Sequence, residues 1–135
     1  MTAIELKRVY LPPSPADGYR LLVGRVWPRA LTKKRSAVDR WLRDVAPTTA
    51  LRKWFGHQSE KWPEFKRRYL AELGSNCEAT RALMDIVKAH HRVTLLFGAH
   101  DEKRNQAVVI AAYLKRRLQH QRASPSSDRL QGDRR

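Results

Sequence analysis

Residues 92–114, RVTLLFGAHDEKRNQAVVIAAYL, predict a strand, a loop and a helix in succession. The apolar run Val93–Phe97 stops at Gly98, and a second apolar run, Ala107–Leu114, follows the polar turn Ala99-His100-Asp101. Both runs are too apolar to leave one face in water, which favours a buried parallel strand with a helix packed flat on its sheet. In such units ligands usually bind beyond the carboxyl end of the strand, beside the helix N-terminus, where free backbone N–H groups favour anions. The stretch therefore indicates where a site would lie.

The composition is that of one basic domain. A chain of 135 residues is long enough to bury one core but not two. No apolar run approaches the ~18 residues of a membrane span, and the start, MTAIE, lacks the layout of a signal peptide. Cys77 is the only cysteine, which excludes an internal disulfide and agrees with a reducing compartment. We therefore expect a cytoplasmic protein that does not enter a membrane.

Net charge is the strongest signal in the composition. The chain carries 28 Lys and Arg against 13 Asp and Glu, a formal charge of +15 at pH 7. Residues 122–135 form a basic tail with four arginines and two aspartates, and their polar composition predicts disorder. Such a charge attracts nucleic acid, acidic membranes and phosphorylated metabolites alike, and it also serves solubility alone. Charge by itself therefore does not select a partner.

Two further strands are expected near the N-terminus. Apolar and polar residues alternate weakly over residues 4–10, and this first strand is predicted to end before Pro12-Pro13. The loop that follows contains Asp17-Gly18, a residue pair that favours a turn. Residues 19–26, YRLLVGRV, resemble 93–97 in being apolar on both faces. We therefore expect these two strands to be neighbours in one sheet.

Four helices are expected between the second strand and residue 92. Ser36 predicts the cap of a helix that ends before Pro47 and has apolar residues three and four apart, at Val38, Trp41, Leu42 and Val45. The others are predicted from Thr48 or Thr49 to Gly56, from Ser59 or Pro63 to Gly74, and from Cys77 to His91. Residues 1–121 are thus predicted to be a single small α/β domain, a short mainly parallel sheet flanked by helices in Rossmann-like or flavodoxin-like layering.

Basic and polar side chains follow the two buried strands. After the second strand come Arg25, Trp27, Pro28 and Arg29, and after the later strand come His100, Asp101 and Asn105. If the strands are parallel, these residues share one edge of the sheet, and the guanidinium groups could hold a carboxylate or phosphate beside a helix N-terminus. Alternatively, the arginines are ordinary surface residues paired with nearby aspartates, and Asp101 merely caps its helix. For Asp101 the cap is the favoured interpretation.

The segment Arg52–Trp62, RKWFGHQSEKW, mixes bases with aromatic residues. Such mixing can stack on nucleic acid, but tryptophans at helical spacing more often pack in a core. His57 follows a helix-ending glycine and is the histidine best placed to reach a site from a loop. No histidine and carboxylate pattern predicts a metal site, no nucleotide-binding glycine motif is present, and we expect neither a metal nor a cofactor.

Three segments carry a family resemblance. They are RLLVGRVWPRALTKKRSAVDRWLRDVAPTTALRKWFGH (20–57), WPEFKRRYLAEL (62–73) and VTLLFGAHDEKRNQAVVI (93–110). In order and spacing they resemble the YeaO-like family, catalogued as domain of unknown function 488. The resemblance implies a compact bacterial α/β domain and brings no established activity.

The chain departs from the family pattern at three positions. Gly24 stands where relatives typically have an aspartate, Ala30 where they have a glycine, and Gln106 where they commonly have a histidine. Aspartate and histidine are residue types that can move protons near neutral pH. Their loss argues against general acid–base catalysis and leaves binding by the arginines unaffected, so whether this chain is an enzyme stays open.

The sequence therefore predicts binding of a small phosphate- or carboxylate-bearing ligand at the carboxyl edge of the sheet, by a domain that could be a degenerate enzyme. The alternative is a nucleic-acid-binding or regulatory protein that uses its basic surface. The candidate ligand-binding residues are Arg25, Trp27, Arg29, Arg52, Trp54, His57, Asp101 and Asn105.

Overall fold

A computed structural model describes residues 2–123 and confirms the α/β class. These residues form one four-stranded parallel sheet in the order β1-β4-β2-β3. The strands are β1 (Ala3–Arg8), β2 (Tyr19–Leu22), β3 (Arg40–Trp41) and β4 (Arg92–Phe97). Leu21 and Leu22 pair with Leu95 and Leu96, so the two apolar strands are neighbours, as the sequence predicts.

Five α-helices lie in the described part of the chain. They are α1 (Lys33–Ser36), α2 (Thr49–Phe55), α3 (Trp62–Ser75), α4 (Cys77–Lys88) and α5 (Gln106–Ala123). Short 3₁₀ helices cover Pro15–Asp17 and Ser59–Lys61. Across residues 2–123, no helix has both the length and the apolar character to cross a membrane.

The two faces of the sheet are covered unequally. Leu21 and Val23 point into the main core, to which α2, α3, α4 and α5 all contribute. Successive residues of a strand point to opposite faces of the sheet, so Leu22 and Leu96 point to the other face. There they meet Val9 and a smaller apolar cluster formed by Trp27, Leu31, Val38 and Trp41. The long helices thus pack on one face, and the segment between β2 and β3 closes the other.

The helix predicted from Ser36 to Pro47 is wrong. Ser36 ends α1 instead of starting a helix, and Ala37 follows with a φ of 50°. Residues 40 and 41 pair with 21 and 22 as the edge strand β3. The apolar residues are spaced as on one face of a helix, but the fold divides them: Val38 and Trp41 pack in the smaller cluster, and Leu42 and Val45 pack in the main core.

Several predicted boundaries need correction. β2 ends at Leu22 and not at Val26, α4 ends at Lys88 and not at His91, and Gly74 lies inside α3. Thr48 is the cap of α2, and its side chain accepts from Leu51 N–H, as expected. α5 continues to Ala123, two residues past the predicted end of the domain. Most of the predicted tail, residues 124–135, falls outside the described residues.

Candidate functional site

A crevice opens at the carboxyl edge of the sheet between β2 and β4. The chain leaves β2 toward β3, whereas α5, which follows β4, packs against β1 and β4. Diverging connections of this kind leave a crevice at the carboxyl ends of neighbouring parallel strands. The cavity measures about 500 Å³. Its apolar lining includes Val23, Val26, Pro28, Phe55 and Phe65, and its polar lining includes Arg25, Arg52, His57, His100, Asp101, Arg104, Asn105 and Gln106.

The loop before α5 is held by its own side chains. Asn105, 3% exposed, caps the helix: its Oδ1 accepts from Val108 N–H at 3.1 Å, and its Nδ2 donates to the Asp101 carbonyl at 2.8 Å. Asp101 Oδ1 accepts from the N–H groups of Lys103 and Arg104 at 3.0 and 3.1 Å. The hydrogen bond from Lys103 is the largest influence on the pKa of Asp101 and, with the contacts from Arg104, lowers it. Asp101 therefore organises the loop as an ionised acceptor, in line with the capping interpretation.

Gln106 joins the start of α5 to the end of β2. Its Nε2 donates to the Val23 carbonyl at 2.9 Å. A Cβ atom built on Gly24 would lie 3.6 Å from the same Nε2. Positions 24 and 106, at which the family resemblance expects an aspartate and a histidine, are therefore adjacent across the crevice. This chain has no proton-transferring group at either position.

Cationic side chains surround the opening. Arg25 is partly buried, and its Nε donates to the Pro47 carbonyl at 3.2 Å. Arg104 is paired with Asp101 at 3.0 Å. Arg52 projects from α2 and is exposed, and no carboxylate within residues 2–123 lies close enough to form an ion pair with it. The guanidinium groups of Arg25 and Arg52 thus keep N–H groups that can donate hydrogen bonds to an anion.

Five of the eight candidate residues line this cavity: Arg25, Arg52, His57, Asp101 and Asn105. Trp27 does not, because its indole N–H donates to the Leu31 carbonyl and its ring packs edge-on against Trp41 at 5.4 Å.

The other two candidates also lie outside the cavity. Arg29 is exposed, and its carbonyl accepts from the Tyr10 hydroxyl at 3.1 Å. Trp54 lies under two cations, Lys61 at 4.9 Å and Arg68 at 4.3 Å. The expected convergence therefore needs correction at these two positions and at Trp27. Along residues 26–29 the lining alternates, because Val26 and Pro28 face the cavity whereas Trp27 and Arg29 do not.

His100, Arg104 and Gln106 are not among the eight candidate ligand-binding residues, although all three line the cavity. The signal was present, because each lies in the loop or helix start that follows β4. Over residues 2–123, no group of three or more His, Cys, Asp or Glu side chains is arranged to hold a metal ion.

Fold and crevice together define a small α/β domain with a cationic cavity at the carboxyl edge of its sheet. The chain belongs to the family described as the inactive DUF488-N3 subclade, which matches residues 3–130. It is 40% identical to the uncharacterized protein YeaO of Escherichia coli K12 over 112 residues, 83% of this chain and 96% of that protein. It is 37% identical to the uncharacterized protein Rv3073c of Mycobacterium tuberculosis H37Rv over 118 residues, 86% and 97% of the two chains. No solved structure was found to match it significantly.

Proposed function

We propose that this protein binds a small phosphate- or carboxylate-bearing ligand in the crevice and catalyses no reaction there. The observation that carries the proposal is the exposed guanidinium group of Arg52 at a cavity of about 500 Å³ that Arg25 and Arg104 also line. Arginine suits this role because its planar group makes two parallel hydrogen bonds to a carboxylate or phosphate.

The start of α5 adds to the attraction for an anion. Asn105 satisfies the Val108 N–H, but the first N–H groups of a helix have no partner within it. They and the helix dipole favour negative charge at this end. The helix dipole, the arginines and the overall charge of +15 all attract an anion to the crevice.

The size and lining of the cavity indicate that the ligand is larger than an inorganic anion. Cavities of roughly 300–1,000 Å³ are typical of sites for whole small molecules. The walls contain Phe55, Phe65 and Val23, which offer apolar contact but no hydrogen bond. We infer a ligand with an apolar or aromatic body and one anionic group, which the arginines would hold at the opening.

Two observations support binding without catalysis. Gly24 and Gln106 face each other where the family resemblance expects an aspartate and a histidine, and Gln106 is already bonded to the Val23 carbonyl. The family description itself carries the word inactive. Asp101, the carboxylate that lines the crevice, is occupied by the N–H groups of its own loop.

Thermal melting with matched ligands tests the proposal. Phenyl phosphate, benzoate and inorganic phosphate are each compared with sodium chloride at the same ionic strength. We expect phenyl phosphate to raise the Tm most, because it can fill the apolar cavity while its phosphate reaches the arginines. A ligand at 100 times its Kd stabilises the folded state by about 2.7 kcal/mol, an effect that is readily measured.

The matched variants are Arg52→Gln at the crevice and Arg81→Gln on α4. Both residues are exposed and each substitution removes one positive charge, but Arg81 does not line the cavity. Arg52→Gln is expected to remove most of the ligand-induced shift, and Arg81→Gln to keep it. The proposal is wrong if no organic anion exceeds chloride, or if the two variants respond alike.

A further inference from the structure

Six exposed cations lie between positions 29 and 43, four in the segment between β2 and β3, one in β3 and one just after it. They are Arg29, Lys33, Lys34, Arg35, Arg40 and Arg43, and we call this set the basic surface. None of the six lies within ion-pair distance of a carboxylate in residues 2–123. None lines the crevice, although Arg43 Nε donates to the carbonyl of the crevice residue Arg25 at 3.3 Å. Asp39 is the single acidic residue between positions 25 and 43, and it accepts the Arg20 N–H at 2.8 Å.

The backbone beneath the basic surface is fixed from inside. Arg20, 4% exposed, donates to the Ser36 carbonyl at 2.7 Å and to the Ala37 carbonyl at 3.1 Å. These bonds hold the end of α1 against the sheet. The Trp41 indole N–H donates to the Gly24 carbonyl at 2.7 Å, and this bond ties β3 to the end of β2. The cations are therefore displayed on an ordered support.

Folding stability does not account for the basic residues of α1. Lys33, Lys34 and Arg35 are its first three residues, and the first turn has no acidic residue. Three adjacent cations with no acidic residue in the same single turn repel one another. A surface that is locally unfavourable for the free protein becomes favourable when an external polyanion neutralises it.

We propose that the basic surface binds the phosphate backbone of nucleic acid without sequence preference. Dispersed Lys and Arg side chains are what phosphate contacts require, since binding is driven by release of counterions from the polyanion. A membrane surface fits less well, because entering the lipid takes a broad apolar face. Residues 29–43 expose no large hydrophobic side chain, and the neighbouring exposed ones include Val26 and Tyr10, whose hydroxyl is bonded to the Arg29 carbonyl. Trp27 and Trp41 are packed in the smaller cluster, so the contact is made through charge and not through base stacking.

The test compares two triplets of helical cations. One variant carries Lys33→Gln, Lys34→Gln and Arg35→Gln in α1, and the control carries Lys115→Gln, Arg116→Gln and Arg117→Gln in α5. All six residues are exposed, and each variant loses three charges. Binding of a fluorescent mixed-sequence DNA duplex is measured by anisotropy from 50 to 200 mM NaCl.

We expect the wild-type affinity to fall steeply with salt. The α1 variant should bind on the order of 100-fold more weakly at 0.1 M salt, with a logarithmic salt slope reduced by about 2 to 3, because each phosphate contact contributes about 0.9 to that slope. The α5 variant should keep most of the wild-type affinity. A second variant, Arg29→Gln with Arg40→Gln, should weaken binding in the same direction and serves if the α1 variant does not fold.

Three results would overturn the proposal. One is no duplex binding by the wild type at 50 mM salt. Another is equal weakening by the α1 and α5 variants, which would assign the affinity to net charge alone. The last is wild-type binding to phosphatidylserine vesicles that is tighter than binding to the duplex and is lost in the α1 variant, which would assign the surface to a membrane.

Discussion

Ala30 departs from the family pattern at a position where the backbone is left-handed. Its φ is 63°, in the left-handed region that costs an L-residue roughly 1–2 kcal/mol and glycine almost nothing. The family resemblance expects glycine at this position, and the backbone gives the reason. The sequence of this chain alone could not reveal the strain, because alanine is compatible with most local structures.

Ala30→Gly is therefore expected to stabilise the fold. Relief of the left-handed strain is partly offset by the greater freedom of glycine in the unfolded chain, so the free energy of unfolding should rise by about 0.5–1 kcal/mol. Urea denaturation measures this change in the free energy of unfolding. The control is Ala112→Gly, an exposed position inside α5, which should lose about 1 kcal/mol. Equal losses at both positions would contradict the explanation.

Asp17 and Arg20 form a buried ion pair that sequence patterns do not reveal. Asp17 is 7% exposed and Arg20 4%. Asp17 also accepts from Lys7 Nζ at 3.0 Å and from the Ser14 N–H at 3.0 Å. Burial alone would raise the pKa of Asp17, but the hydrogen bonds from Lys7, Ser14 and Arg20 together outweigh it and lower the pKa. In the sequence, Arg20 looks like a polar interruption of a strand, and the pairing depends on the fold that surrounds it.

Asp17→Asn is expected to destabilise the protein by about 3 kcal/mol at pH 7, because it leaves Arg20 buried without its counter-charge. Since the folded pKa lies below the unfolded value of about 3.9, the carboxylate contributes fully above that pH, and its contribution is lost as the pH falls through the folded pKa. Urea denaturation at pH 7 and pH 3 should therefore give a smaller difference between wild type and variant at pH 3.

The control for this pH experiment is Glu64→Gln. Arg67 and Arg68 lower the pKa of Glu64 to about 2, but the group is at the surface, where solvent screens the pairs. Its substitution should leave the Tm at pH 7 nearly unchanged. If Asp17→Asn proves as mild as Glu64→Gln, the buried pair does not have the structural role assigned to it.

At the scale of elements, the sequence predicts those strands, helices and caps that depend on residues close together in the chain. The apolar runs of β4 and α5 and the cap of α2 at Thr48 were readable because neighbouring residues determine them. β3 was missed because two residues become a strand only by pairing with Leu21 and Leu22, a contact that no local pattern encodes. The same limit applies to the crevice. Its residues after β4 follow from the strand and helix pattern. Which of residues 25–29 reach it depends on the path of the chain after β2, since Arg25, Val26 and Pro28 line the cavity and Trp27 and Arg29 do not.

At the scale of the whole molecule, charge repulsion opposes the compact state. The formal charge is +15, and the pair of Asp17 with Arg20 is the one ion pair in residues 2–123 whose two side chains are both less than a tenth exposed. Repulsion among exposed cations is strong at low ionic strength and is screened as salt shortens the Debye length to about 10 Å at 0.1 M. Net charge of this size should therefore make the stability salt-dependent.

We expect the Tm to rise by a few degrees between 20 and 500 mM sodium chloride, since screening worth about 1 kcal/mol shifts the Tm of a domain of this size by roughly 3–5 °C. The α1 variant with Lys33, Lys34 and Arg35 changed to glutamine should show a smaller rise, because those cations crowd one helix turn. Calorimetry of the wild type and the α1 variant in sodium chloride measures both changes in Tm. Sulfate and phosphate are avoided because their binding at the crevice would add to the effect of screening. A Tm that stays constant or falls with chloride would mean that ion pairs, and not repulsion among the cations, dominate the electrostatic free energy of folding.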